Sequence, residues 1–125
     1  PRRHETTSSR RILNQEEMET VLSRYGFQTI YFEDYSFTQQ VAISAFCDIM
    51  IAPHGSGLVN SLFMPTNSSV IEYFPHKRVD SCGCYERCCV SRGQKYFDED
   101  SIAQVQGDIL VDLNRLEAIL GSLGK

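Results

Sequence analysis

The residues best placed to do chemistry are His54-Gly55-Ser56-Gly57, followed by Leu58-Val59-Asn60. They follow a short apolar run, Asp48 to Ala52, that stops at Pro53. That order reads as a strand, a tight glycine turn and the start of a helix. A helix start carries unpaired backbone N–H groups and the positive end of the helix dipole, so it favours anions, phosphate above all. Glycines let a ligand approach backbone that a side chain would block. The first expectation is a site for phosphate or a nucleoside diphosphate.

Other residues can be assigned to the same chemistry. His54 can donate to a phosphate or act as an acid or base. Ser56 and Asn60 bring a hydroxyl and an amide to the first turn, as ligand contacts or as helix-start residues. Arg10 and Arg11 can grip a diphosphate in bidentate fashion, or lie solvated at the surface. Glu33 and Ser36 follow a β-rich run, where Glu33 can bind a sugar hydroxyl or cap the next helix. The Walker pattern fails for want of Gly-Lys-Ser/Thr, and the nucleophile elbow fails because the glycines directly flank the serine. The dinucleotide fingerprint fits at its first two glycines, with Asn60 at the third position and Glu72 placed as a ribose-binding acid. A nicotinamide-dependent dehydrogenase therefore stays as an alternative.

These residues need elements to hold them. Asn14 with Glu17 reads as a capping box for a helix carrying Met18, Val21, Leu22 and Tyr25 on one face and ending at Gly26. Gln28 to Glu33 reads as a strand, and Ser36 caps a helix from Phe37 to about Phe46. Asp48 to Ala52 is a strand buried on both faces, and a short helix runs from the glycine turn to about Phe63. Val70 to Phe74 is a third strand. A helix around residues 83–91 and a short strand from Gln94 to Phe97 follow, with a polar loop over 98–108. Asp112 then caps a last helix with Leu113, Leu116, Leu120 and Leu123 on one face.

Strands alternating with helices imply a mostly parallel sheet with helices on both sides, and ligands at the carboxyl ends of its strands. Residues 1–11 read as an N-terminal loop or truncated first strand, and 12–125 as one Rossmann-like domain. Such a sheet normally starts with an apolar strand before its first helix. Residues 1–11 do not supply one, so an upstream strand is expected to be missing.

Composition narrows the class. The chain has 125 residues, 42% hydrophobic and 22% charged, as in an ordinary globular domain. Its net charge of −4 argues against a nucleic-acid partner. No apolar run is long enough to span a bilayer, and no signal peptide is present. The chain opens on Pro1, so it reads as a piece of something longer. Cys47 lies in an apolar context and reads as a buried free thiol. Cys82, Cys84, Cys88 and Cys89 do not follow paired zinc-knuckle spacing, and local disulfides, a zinc site and free thiols stay open. Asn67-Ser68-Ser69 is a glycosylation triplet, a pattern common by chance.

Several blocks stand together in order and spacing. They are Arg10-Arg11-Ile12-Leu13-Asn14, Gly26-Phe27, Ser36-Phe37 with Gln40, Pro53-His54-Gly55-Ser56-Gly57-Leu58, Leu62-Phe63-Met64-Pro65 and Val70-Ile71-Glu72. Together they resemble the C-terminal domain of glycosyltransferase family 61, which includes plant xylosyl- and arabinosyltransferases and animal O-linked N-acetylglucosaminyltransferases. Asp108 to Leu113 resembles the family's entry to its last helix. The usual alanine of the turn is replaced by Ser56, and the cysteine cluster is not a family hallmark.

The resemblance implies one Rossmann-like half of a two-domain GT-B enzyme that binds a UDP-sugar without a metal or other cofactor. It implies an inverting transfer to a glycan or glycoprotein hydroxyl, with a missing N-terminal domain as partner. It also implies a Golgi or endoplasmic reticulum lumen, with membrane anchorage through a segment outside this chain. The nucleotide-sugar contacts it suggests are Arg10, Arg11, Glu33, Ser36, His54, Gly55, Ser56, Gly57, Leu58, Asn60 and Glu72. No catalytic base is assigned. A non-catalytic nucleotide-sugar-binding module is the alternative in a different class.

Overall fold

The computed structural model describes residues 10–75 and 83–125. Helix α1 spans Gln15–Ser23 and buries Met18 and Val21. Asn14 precedes it but caps nothing with its side chain. Its amide instead donates to the Val111 carbonyl at 2.9 Å and accepts from the Val111 N–H at 3.0 Å. The capping box expected there is replaced by a tertiary tie, because one amide group satisfies two backbone groups of a distant segment. Gly26, at φ 81°, closes the helix as expected. Its N–H reaches the Ser23 carbonyl, and the Phe27 N–H reaches that of Leu22, the paired bonds of a Schellman turn.

The strand expected over Gln28 to Glu33 does not form. Residues 27–31 lie outside any helix or strand, and Phe32–Asp34 is a turn of 3₁₀ helix. The β-rich composition is there, but a strand exists only where a neighbour completes its ladder. Helix α2, Phe37–Ala45, starts on a full capping box between Ser36 and Gln39.

Strands β1 (Ile49–Pro53), β2 (Ser69–Phe74) and β3 (Lys95–Asp100) form a parallel sheet in the order β1-β2-β3. Ile51, Ile71 and Phe97 share one register position. Every residue of β2 is buried, as a central strand flanked on both faces requires. β3 runs three residues further than the sequence suggests. Acidic Asp98 and Asp100 are tolerated because they are exposed on an edge strand. Helix α3 is Cys84–Ser91, and α4 is Leu113–Ser122 with Asp112 capping it through Arg115 N–H, as expected. The strands, helices and crossovers agree with an α/β fold around a parallel sheet.

Side-chain alternation splits the core. Ile71 and Tyr73 pack with Met18, Leu116 and Leu120 on one face of the sheet. Val70 packs with Met50, Leu58, Met64 and Cys89 on the other. The second face is roofed by α3 and by a 3₁₀ helix, Ser56–Phe63, that directly follows the glycine turn.

Candidate functional site

Strand periodicity assembles the site. Residues of even number in β2 point to one face, so Glu72 and Phe74 lie with Val70 beneath the 3₁₀ helix and α3. Register brings His54, just past β1, and Tyr96 of β3 to that same face. Glu72 is 2% exposed, a depth at which a carboxylate requires partners. It has them. Tyr96 donates its hydroxyl to one oxygen at 2.5 Å, and His54 Nδ1 meets the other at 2.6 Å. A carboxylate only accepts, so Nδ1 carries the proton and Nε2 is the ring nitrogen left for a ligand. The imidazole is stacked on Phe74 at 5.1 Å and meets Tyr85 edge-on at 5.8 Å. Burial, reinforced by the Glu72 carboxylate, pushes the Tyr96 phenol far above its ordinary range, so it stays a donor.

Next to His54 the backbone turns. The His54 N–H completes the β1–β2 ladder on the Tyr73 carbonyl at 2.8 Å. The helix that follows is 3₁₀, and its first bond runs from the Leu58 N–H to the Gly55 carbonyl. The N–H groups of Gly55, Ser56 and Gly57 have no acceptor among the described residues. Gly55 has extended backbone and Gly57 has no positive φ, so neither glycine is demanded by the chain's own conformation. What remains is the reason read from sequence: open access to a row of donors.

The other expected contacts divide. Leu58 is buried under the turn as core. Asn60 is buried too, and its amide donates to Gln40 of α2 at 3.1 Å and to the Gly57 carbonyl at 3.2 Å. It holds the turn's shape from behind. Gln40 in turn donates to the Phe32 and Tyr35 carbonyls, tying the glycine turn to the 32–35 turn. Ser36 is used as the α2 cap, and Glu33 is exposed in the 3₁₀ turn.

Arg11 donates to Asp108 with its guanidinium at 3.0 Å and with its backbone N–H at 3.0 Å. Burial alone would raise the Asp108 carboxyl. The hydrogen bonds and charge of Arg11 outweigh it and hold the group below the ordinary carboxylate value. Arg10 has its backbone N–H on the Gly107 carbonyl, at φ 70°. Glu72, proposed as a sugar or ribose contact, has its carboxylate engaged by His54 and Tyr96. It reaches a ligand only through His54, which removes the acid that the dinucleotide reading needs.

Sequence reasoning missed Tyr96, Phe74 and Tyr85, and named Gln40 only within a family block. Sheet register brings Tyr96 and Phe74 to the site and the packing of α3 brings Tyr85, so no local signal marked them. Cys88 and Cys89 are free thiols, and no cluster of metal-binding side chains occurs among the described residues. Cys82 lies outside those residues. Cys47 is also free, half-buried, with Sγ 3.2 Å from the Ile49 carbonyl.

Comparison with known proteins gives the site a context. The model of the family described as Glycosyltransferase 61 matches residues 2–71, which include α1, β1, the glycine turn and the start of β2. The EGF domain-specific O-linked N-acetylglucosamine transferase of Drosophila melanogaster is 32% identical over 93 residues, covering 72% of this chain and 17% of that protein. The Protein O-linked-mannose beta-1,4-N-acetylglucosaminyltransferase 2 of Homo sapiens is 34% identical over 74 residues, covering 56% of this chain and 13% of that protein. The chain thus spans under a fifth of the length of either relative. The family-model match covers more than half of the sequence, and with the similarity of both named transferases it shows that this chain belongs to glycosyltransferase family 61.

Proposed function

We propose that this chain is the donor-binding portion of an inverting glycosyltransferase of GT-B architecture. It holds a UDP-sugar while the sugar, xylose or N-acetylglucosamine, passes to a hydroxyl of a glycan or glycoprotein. The observation that carries the reading is the pairing of His54 with the open N–H row of Gly55 to Gly57. In the reaction the acceptor oxygen bonds to the anomeric carbon as the bond from that carbon to the diphosphate breaks. The acceptor's proton goes to a base that this chain does not identify. The leaving diphosphate gains negative charge. Fixed N–H donors stabilise that charge without reorganising, and His54, oriented by a buried carboxylate, adds a donor at Nε2 when the imidazole carries its second proton. The acceptor site and the base belong to the rest of the enzyme. The compartment that fits is the lumen of the Golgi or endoplasmic reticulum, with a membrane anchor in the remainder of the protein.

The test is a transferase assay on the full-length protein with UDP-sugars, joined to UDP titration of His54→Ala. We expect transfer from at least one UDP-sugar and a loss of UDP affinity of about tenfold, or ~1.4 kcal/mol, in the variant. Tight UDP binding without transfer from any donor leaves a binding module and overturns the enzyme reading. Unchanged affinity in His54→Ala removes that residue from the site.

A further inference from the structure

The triplet Asn67-Ser68-Ser69 is a motif that the donor site leaves unused. It lies in the turn between the 3₁₀ helix and β2. The Ser68 N–H donates to the Pro65 carbonyl at 3.2 Å and closes a β-turn over Pro65, Thr66, Asn67 and Ser68. Asn67 stands third in that turn at φ 72°, where left-handed backbone favours Gly or Asn. Its N–H donates to the Gly93 carbonyl at 3.2 Å. Pro65, Thr66 and Asn67 are all exposed, and the Asn67 side-chain amide makes no hydrogen bond among the described residues.

The turn accounts for the asparagine but not for Ser69. That serine opens β2, the central strand, and is 4% exposed. Its N–H donates to the Asp48 carbonyl, as that of any residue there would. Its hydroxyl makes no hydrogen bond among the described residues. Burying an unpaired hydroxyl is unfavourable, and a β-branched apolar side chain would suit the position better. A hydroxyl two residues after an exposed asparagine, with no proline between them, is what attachment of an N-linked glycan demands. One modification thus explains both residues, whereas the fold explains only the first.

We propose that Asn67 carries an N-linked oligosaccharide. Its attachment rests on the lumenal compartment of the proposed function. The donor is an oligosaccharide carried on a polyprenyl diphosphate. The Asn67 amide nitrogen bonds to the anomeric carbon as the bond from that carbon to the diphosphate breaks. The proton that the nitrogen loses ends on the released diphosphate. Ser69 is accessible only before β2 pairs, so attachment precedes closure of the sheet. Asn67 stays exposed afterwards, so the folded chain accommodates the bulky product. The position also spares the donor site. The strands are parallel, with Asn67 at their amino ends and His54 at their carboxyl ends. The six residues of β2 separate those two edges by about 16 Å.

The test is peptide mass spectrometry of the full-length protein made in eukaryotic cells. Enzymatic release of N-linked glycans leaves an aspartate wherever a glycan stood. We expect that mark at residue 67 in most copies. Ser69→Ala and Asn67→Gly should lose it entirely, and Ser69→Thr should keep it. Glycine suits the left-handed turn, so Asn67→Gly removes the glycan without disturbing the fold, and its UDP affinity should equal that of the unaltered protein. An unmarked residue 67 overturns the proposal. Protease treatment of sealed microsomes then separates two causes. A protected chain without the mark overturns the glycan alone, and a digested chain overturns the lumenal compartment with it. A mark that persists in Ser69→Ala also overturns the proposal, because it reports spontaneous deamidation.

Discussion

Two tyrosines of this fold, one half-buried and one buried, show that burial alone does not fix the value of a hydroxyl. Tyr96 donates to Glu72, and removing that donor leaves a buried carboxylate oxygen short of a partner. Tyr96→Phe is expected to cost about 1–3 kcal/mol, read as a lower midpoint in urea unfolding. Tyr73 lies deeper, 1% exposed, but its hydroxyl has no partner among the described residues. Tyr73→Phe removes an unmet demand, so the same experiment should find it neutral or up to about 1 kcal/mol stabilising. Gly57 separates folding from function. Its φ is not positive, and an added Cβ would lie 3.7 Å from the Phe32 ring, an ordinary contact. Gly57→Ala should leave the melting temperature within a degree or two and weaken UDP binding about tenfold or more, because the methyl group crowds the donor row. Equal affinity for UDP would show that no ligand approaches this turn.

Elements succeed here where sequence signals are local and fail where they need neighbours. Ser36 with Gln39, Asp112 and Gly26 all act as the one-dimensional pattern predicts, because a cap is satisfied within four residues of itself. Gly26→Ala tests the simplest case. Nothing lies within 4 Å of the added methyl group, so the cost is that of the left-handed backbone alone, about 1 kcal/mol by denaturant unfolding. The failures share the opposite cause. Residues 28–33 have strand composition but form no strand, and Asn14 leaves its cap to serve Val111, 97 residues away. β3 continues into Asp98 and Asp100 because β2 offers it a ladder, although the composition reads as loop. The glycine turn was legible as a motif. The group that orients its histidine was not, since Glu72 and Tyr96 are brought together by register.

At the scale of the whole molecule, the two ends of the described chain hold each other. Ile12 bridges to Ile109, Asn14 to Val111, and Arg11 to Asp108. The last pair makes that closure sensitive to acid. The Asp108 carboxyl lies below its ordinary value of 3.8 in the folded chain. Its contribution to stability is therefore complete above that value and is lost as pH falls through the lower folded-state value. Arg11→Ala should cost about 2 kcal/mol at pH 7, and the gap from the unaltered chain should narrow as pH falls below the ordinary value of 3.8. A gap independent of pH would show that Arg11 acts by packing and not through its charge.

Family membership, the alternation of helices and strands, and the glycine turn after β1 can be read in the order of residues alone. Those properties are written in caps, periodicity and motif spacing, all of which act over a few residues. Which groups stand behind His54, that Arg11 answers to Asp108, and that residues 27–31 stay outside any helix or strand emerge only from the packed chain. Each of these depends on which backbone lies next to which, and hydrogen bonds across a sheet carry no trace in the local order of residues.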